Sequence, residues 1–323
     1  ADKQMNTFGS KLTANSGKFM AAGGIMVAAA GSAGVAVSKM AADFETSMRN
    51  ANSIMKLSED EFKNVSDAVL DISTKLPQSA GVLADGLYNI ASAGFQGADG
   101  LYVLEKSAEA AAAGLTDTDT AAKGVTAILN AYGWSADKAD RVSDALFKTV
   151  DKGVLTFEEL SSNIGNVIGT ANLANVELEE VAGSLGYITK QGYGAAEATT
   201  ALNRLILSII NPSERLAEVL REAGYESGEL ALEQLGLVGV MGLVDEAAGG
   251  SVTELSNMFT EIRSLRGAGA LLSQGIGNLT DYMKDFEDTT GATTDALNEQ
   301  SKSLSFQADL LKSTLSEIGI KLG

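Results

Sequence analysis

The chemistry-bearing pattern in this chain is the acidic pair: Glu158-Glu159, Glu179-Glu180 and Asp245-Glu246 each set two carboxylates side by side. Two carboxylates flanking one bond can run hydrolysis as acid and base. Adjacent positions on a helix diverge by about 100°, however, so these pairs read as solvated helix surface. Asp117-Thr118-Asp119 invites a calcium reading. An EF-hand loop that began there would need glycine at its sixth position and glutamate at its twelfth, and Ala122 and Ile128 stand there instead, so a helix cap is the better reading. Ser16-Gly17-Lys18 lacks the upstream glycine of a phosphate loop, with Leu12 and Thr13 nearby. The glycines at Gly236, Gly239 and Gly242, and at Gly267 and Gly269, lack both the dinucleotide fingerprint and a strand before it. Trp134, the one tryptophan, reads as a core anchor at a helix start.

There is no histidine and no cysteine. Serine and cysteine nucleophiles activated by histidine are therefore excluded, as are an ordinary zinc site and a disulfide framework. No catalytic, cofactor-binding or metal-ligating residue is assigned, and a protein other than an enzyme is expected. An enzyme working with carboxylates alone is the remaining catalytic reading. The formal charge of −18 repels phosphate backbones and argues against specific nucleic-acid binding. Aromatic residues make up only 6% of the chain while alanine and glycine abound, so the elements are expected to pack closely on small side chains.

The elements that carry these residues are helices. Start signals occur at Ser58-Glu59-Asp60-Glu61, Thr116-Asp117-Thr118-Asp119, Thr156-Phe157-Glu158-Glu159 and Asn211-Pro212-Ser213-Glu214, where Asn211 is expected to cap and Pro212 to take the first position. Glycines at 94, 114, 133, 153, 192 and 224 supply stops. Phe62, Val65, Val69, Ile72 and Leu76 recur at helical spacing, as do Leu202, Leu205, Ile206, Ile209 and Ile210. The best strand candidate, Gly153–Phe157, is short. The expectation is an all-α chain with little or no sheet, in three parts. Residues 1–40 hold a polar lead-in and a small-residue helix, 41–212 the main helical domain, and 213–323 a glycine-interrupted set ending in an amphipathic helix over 292–320. The chain opens on Ala1 and closes on Lys321-Leu322-Gly323, which suggests a processed product or part of a longer protein.

Phe19 to Ser38 contains no charged side chain, with Lys18 and Lys39 on either side. Seven of its twenty residues are alanine, four glycine and two serine. That length permits a membrane span, but alanine and glycine contribute little to partitioning. Gly24, Ala28, Ser32 and Ala36 recur every fourth residue on one face, a small-residue ladder that lets helix backbones approach closely. The ladder is expected to be a helix-packing or oligomer interface. The competing reading is a membrane-active, pore-forming helical protein that inserts through residues 19–38.

From Ala41-Ala42-Asp43-Phe44-Glu45-Thr46-Ser47-Met48 the chain resembles the core domain of phage tail tape measure proteins. The resemblance continues through Ile90-Ala91-Ser92-Ala93-Gly94-Phe95, Ala110-Ala111-Ala112-Ala113-Gly114-Leu115 and Ala127-Ile128-Leu129-Asn130-Ala131-Tyr132-Gly133. Asp144-Ala145-Leu146 and Thr200-Ala201-Leu202-Asn203-Arg204-Leu205 follow in order. It implies a structural virion protein, made in the host cytoplasm and built into the tail, with three or six copies in the tube lumen. It further implies contacts with tube, baseplate and tail-tip proteins, a role in setting tail length, and departure ahead of the DNA, with the host membrane as a partner during ejection. No cofactor is implied. A wholly helical chain of this length would span roughly 480 Å, but the many caps and glycines imply a compact anchoring domain attached to a longer ruler.

Overall fold

The computed structural model describes residues 30–322, which form seventeen α-helices and, among the described residues, no strand. The first five are α1 (Ala30–Met55), α2 (Glu59–Lys75), α3 (Ala80–Ser92), α4 (Gly97–Gly114) and α5 (Thr118–Tyr132). Next come α6 (Ala139–Lys152), α7 (Phe157–Asn163), α8 (Gly165–Leu173), α9 (Leu178–Lys190) and α10 (Ala195–Ile210). The last seven are α11 (Glu214–Glu222), α12 (Gly228–Ala248), α13 (Val252–Met258), α14 (Ile262–Leu272), α15 (Ile276–Met283), α16 (Ala292–Gln300) and α17 (Leu304–Leu322).

Local chemistry sets these boundaries. Ser58 with Glu61 and Thr156 with Glu159 form reciprocal capping boxes at the starts of α2 and α7, and the Asp117 carboxylate accepts from Thr120 N at the start of α5. The capping box at Thr156 also accounts for the lost strand candidate: residues 153–156 form the turn between α6 and α7, and Phe157 opens α7. At the second proline the structure shifts the expected cap by two residues. Asn211 ends α10, and Ser213 caps α11 by accepting from Leu216 N, because a hydroxyl there reaches the orphan N–H of the first turn. The single amphipathic helix expected over 292–320 is two, broken at 301–303, and the Ser303 hydroxyl accepts from Phe306 N to restart the chain as α17.

Two glycine stops show different physics. Gly133 ends α5 in the left-handed region at φ 64°, where glycine carries no Cβ penalty. Gly114 is still helical, and Leu115 takes the left-handed cap. A Cβ at Gly114 would lie 2.6 Å from the ring of fully buried Phe157, so close packing demands the glycine there.

Helix α9 is buried all the way round from Val181 to Thr189 and sits at the centre of the fold. It packs against α6, α10 and the α15 segment. Its glycines set how near these come: a Cβ at Gly186 would lie 2.5 Å from the Tyr282 hydroxyl. Around it α4, with buried Ala110 to Ala113, packs against α5 and α6. Phe62, Val65, Val69, Ile72 and Leu76 are buried, as are Leu202, Leu205, Ile206 and Ile209. One continuous cluster of buried side chains runs from Phe44 to Phe286. The chain also closes on itself: α16 lies against α4 and α6, and α17 against α1 and α2. Gly24 and Ala28 of the small-residue ladder lie outside the described residues, while Ser32 and Ala36 fall within α1.

A Gly114→Ala chain is expected to lose about 1–3 kcal/mol, the usual cost of overpacking a core. Urea denaturation followed by circular dichroism measures this.

Candidate functional site

A cleft of ≈ 670 Å³ opens where the C-terminal segment meets α6 and α9, lined by seven carboxylates and one arginine. Asp140, Arg141 and Asp144 come from α6, Glu177, Glu179 and Glu180 from the start of α9, and Glu287 and Asp288 from the turn before α16. Arg141 answers part of this charge. Its Nε and Nη2 donate to the two oxygens of Glu179 at 2.7 Å each, and Nη2 donates to Glu177 at 3.1 Å. Its guanidinium lies over Trp134 with 4.7 Å to the ring centroid, and Trp134 stacks on Tyr132 at 4.6 Å. The Tyr132 hydroxyl donates to Val176 O at 2.8 Å, and burial raises its pKa. Trp134 thus holds a cleft wall from a half-buried position just past Gly133, where the chain turns toward α6.

Asp144 is buried and carries the closure. Gly291 N donates to one carboxylate oxygen and Thr293 N to the other, both at 2.8 Å. Gly291, the residue before α16, has no side chain to cap that helix, so the carboxylate caps it from across the fold. Glu180 does the same for a break inside α12. Gly236 sits there at φ 68° and ψ 178°, which interrupts the helical ladder. The half-buried Glu180 carboxylate accepts from Leu237 N at 3.1 Å and Val238 N at 3.3 Å. Burial lifts its pKa above the ordinary carboxylate range despite these two donors.

The acidic pairs therefore divide. Glu179 and Glu180 are not solvated surface: one pairs with Arg141, and the other caps a buried helix break. Their helical divergence sends them to different partners. Glu159 closes a capping box, and Asp245 accepts from Ile276 N at 3.3 Å. Of the cleft carboxylates, Asp144 and Glu180 are committed to backbone donors and Glu177 and Glu179 to Arg141, so these four act as internal staples. Among the described residues, no three histidine, cysteine, aspartate or glutamate side chains are placed to hold a metal ion, and no helix is long and apolar enough to cross a membrane.

Sequence reasoning missed Asp144 and Glu180 as staples. For Glu180 a signal existed: Gly183, Ser184 and Tyr187 lie on the same helix face, three, four and seven positions on, and all are buried.

The fold and cleft define an all-α module closed largely by its own charges. The chain belongs to the family of phage-related minor tail proteins, whose model matches residues 66–262, more than half of its length. It is therefore a structural component of phage tails. It is 28% identical over 319 residues to a probable tape measure protein of Clostridium phage phiCD119, covering 95% of this chain and 34% of that protein. It is 23% identical over 186 residues to a tape measure protein of Pneumococcus phage Dp-1, covering 58% of this chain and 16% of that protein. The chain thus spans about a third or less of these curated relatives. No solved structure matches it significantly.

Asp144→Ala leaves two backbone donors without partners, at about 1–3 kcal/mol each. The expected result is a loss of about 2–5 kcal/mol and earlier proteolytic cutting around 287–303, while Asp144→Asn, which keeps one acceptor, loses less. Urea melts and timed proteolysis compare the three chains. For Glu180 the sign follows from its raised folded pKa: the folded protein holds the proton more tightly than the unfolded chain. Its contribution is therefore fully present below the unfolded carboxylate range and is lost as pH rises through the folded pKa. Stability measured from pH 4 upward should show this loss in the wild type, and the Glu180→Gln chain should lack it.

Proposed function

We propose that this chain is the folded anchoring module of a tape measure protein. The carrying observation is the span of the similarity: it takes in 95% of this chain but only 34% of the phiCD119 protein. A compact module inside a much longer chain fits an anchor better than a ruler. Its longest described helix has 26 residues, which at 1.5 Å each is about 39 Å. On this reading three or six copies sit in the tail-tube lumen near the baseplate and contact tube and tail-tip proteins. They organise assembly, the rest of the chain sets tail length, and the whole leaves ahead of the DNA. A net charge of −18 suits a lumen through which DNA must pass without sticking. The ladder of Gly24, Ala28, Ser32 and Ala36 is proposed as a helix-packing surface between copies or against the domain, and Gly24→Leu should then disturb assembly.

In-frame deletions in the phage gene separate anchor from ruler. Removing helical sequence outside this module is expected to shorten tails by about 1.5 Å per residue, measured by electron microscopy. Removing α6 to α9 is expected to abolish tails. Tails of unchanged length after a long outside deletion would sink the ruler role.

A further inference from the structure

The cleft beside α9 holds more negative charge than its own staples use. Arg141 answers Glu177 and Glu179, and backbone donors answer Asp144 and Glu180. Three carboxylates are left. Asp140 stands one helical turn before Asp144 on α6 and accepts from the neighbouring Arg141 N, and Asp288 accepts from Thr290 N two residues on. Glu287 has no hydrogen-bond partner among the described residues. Lys148 is near enough to act on Asp288, and Lys284 lies near Glu287, but neither lines the cleft and Lys284 pairs with Asp281 at 2.7 Å.

Thr289 is an independent sign that something enters here. It follows these two acids in the turn before α16, lines the cleft and is only 7% exposed. Its hydroxyl has no hydrogen-bond partner among the described residues. Buried polar groups are almost always paired, so an open hydroxyl on a cleft wall points to a partner from outside the fold. Val238, Met283 and Phe286 add an apolar wall beside it.

We propose that this cleft is the docking site for a lysine-bearing segment of a partner tail protein. This deepens, and rests on, the contacts with tube and tail-tip proteins in the proposed function. A lysine carries an apolar stem that packs along such a wall while its charged head reaches polar groups. Its ammonium offers three donors and no acceptor, which suits the Asp140 and Glu287 carboxylates and the Thr289 hydroxyl. Charge selects the occupant: seven carboxylates face one guanidinium in the cleft, so a cationic segment is drawn in and an acidic one repelled. The staples make the site rigid, because Asp144 and Glu179 are already held by their donors and need no ordering when the partner arrives. The cleft opens to solvent, so a backbone can cross its mouth while one side chain enters. One wall is the turn before α16, and an occupant therefore also holds the C-terminal segment in place.

The test uses the 323-residue chain and a fluorescein-labelled peptide of alternating lysine and alanine, followed by fluorescence anisotropy. The wild type is expected to bind it. Asp140→Asn/Glu287→Gln, isosteric changes at two exposed positions, should weaken binding by about tenfold or more, the worth of two exposed ion pairs. Thr289→Val should weaken it severalfold. Glu222→Gln/Glu233→Gln removes the same charge elsewhere and should bind as the wild type does. Bound peptide should also delay proteolytic cutting around 287–303 in the wild type and not in the Asp140→Asn/Glu287→Gln chain. No binding by the wild type, or equal weakening in both double variants, overturns the site, the second showing attraction to the acidic surface at large. Spermidine binding as tightly as the peptide would make a free polyamine the occupant and reject a protein segment. The in-frame deletions judge the anchoring module separately: tails abolished by loss of α6 to α9, with a cleft that binds no peptide, reject the docking site and leave the anchor standing.

Discussion

The closure of this fold depends on a carboxylate that reaches 147 residues along the chain. Asp144 gives its two oxygens to Gly291 N and Thr293 N, and so fixes where α16 begins. That position decides the rest of the C-terminal path, because α16 then lies on α4 and α6 and α17 returns to α1 and α2. The staple also answers an electrostatic problem. Seven carboxylates line one cleft in a chain of net charge −18, and like charges at this density repel. The fold answers with backbone N–H groups as well as cations. Arg141 serves Glu177 and Glu179, the N-terminus of α16 serves Asp144, and the break at Gly236 exposes two donors to Glu180. Asp288 follows the same rule, its pKa lowered by the donor at Thr290 N.

Small side chains make this closure geometrically possible. At Gly183 a Cβ would run into Met283, and at Gly186 into Tyr282, so the α15 segment can lie directly on α9. Tyr282 then meets Tyr187 edge-on at 5.2 Å and Phe286 at 5.6 Å. A few rings placed over glycines do here what many rings do in an aromatic-rich core. The arrangement has little slack, since interiors at crystal-like density do not absorb an added methyl group without strain.

The helical class was readable from spacing alone, because Phe62 to Leu76 and Leu202 to Ile210 bury the faces their periodicity marks. Caps were readable where the capping residue and its partner are three apart, as at Ser58 and Thr156. Asn211 misled because Ser213, two residues on, carries the hydroxyl that the Leu216 N–H reaches. The cleft was hardly readable at all. Asp144 and Gly291 are 147 residues apart, and no local pattern reports a bond across that distance. The pairing of Glu179 with Arg141 spans 38 residues and is hidden for the same reason.

The proposed division of labour between anchor and ruler rests on how length is encoded. A ruler must tolerate insertion or deletion of turns, so its stability must come from repeating local contacts. This chain is built the other way: many helices start at a side-chain cap or stop at a glycine, and the staples join residues far apart in sequence. Removing one turn from α6 would displace Asp144 from Gly291 and rotate Arg141 away from Glu179. Length here is therefore fixed by closure, and a protein that both holds a position and measures a distance needs a second kind of sequence for the second task. Helix α17 belongs to the same closure, for its Ser313 hydroxyl donates to Pro77 O, 236 residues back along the chain.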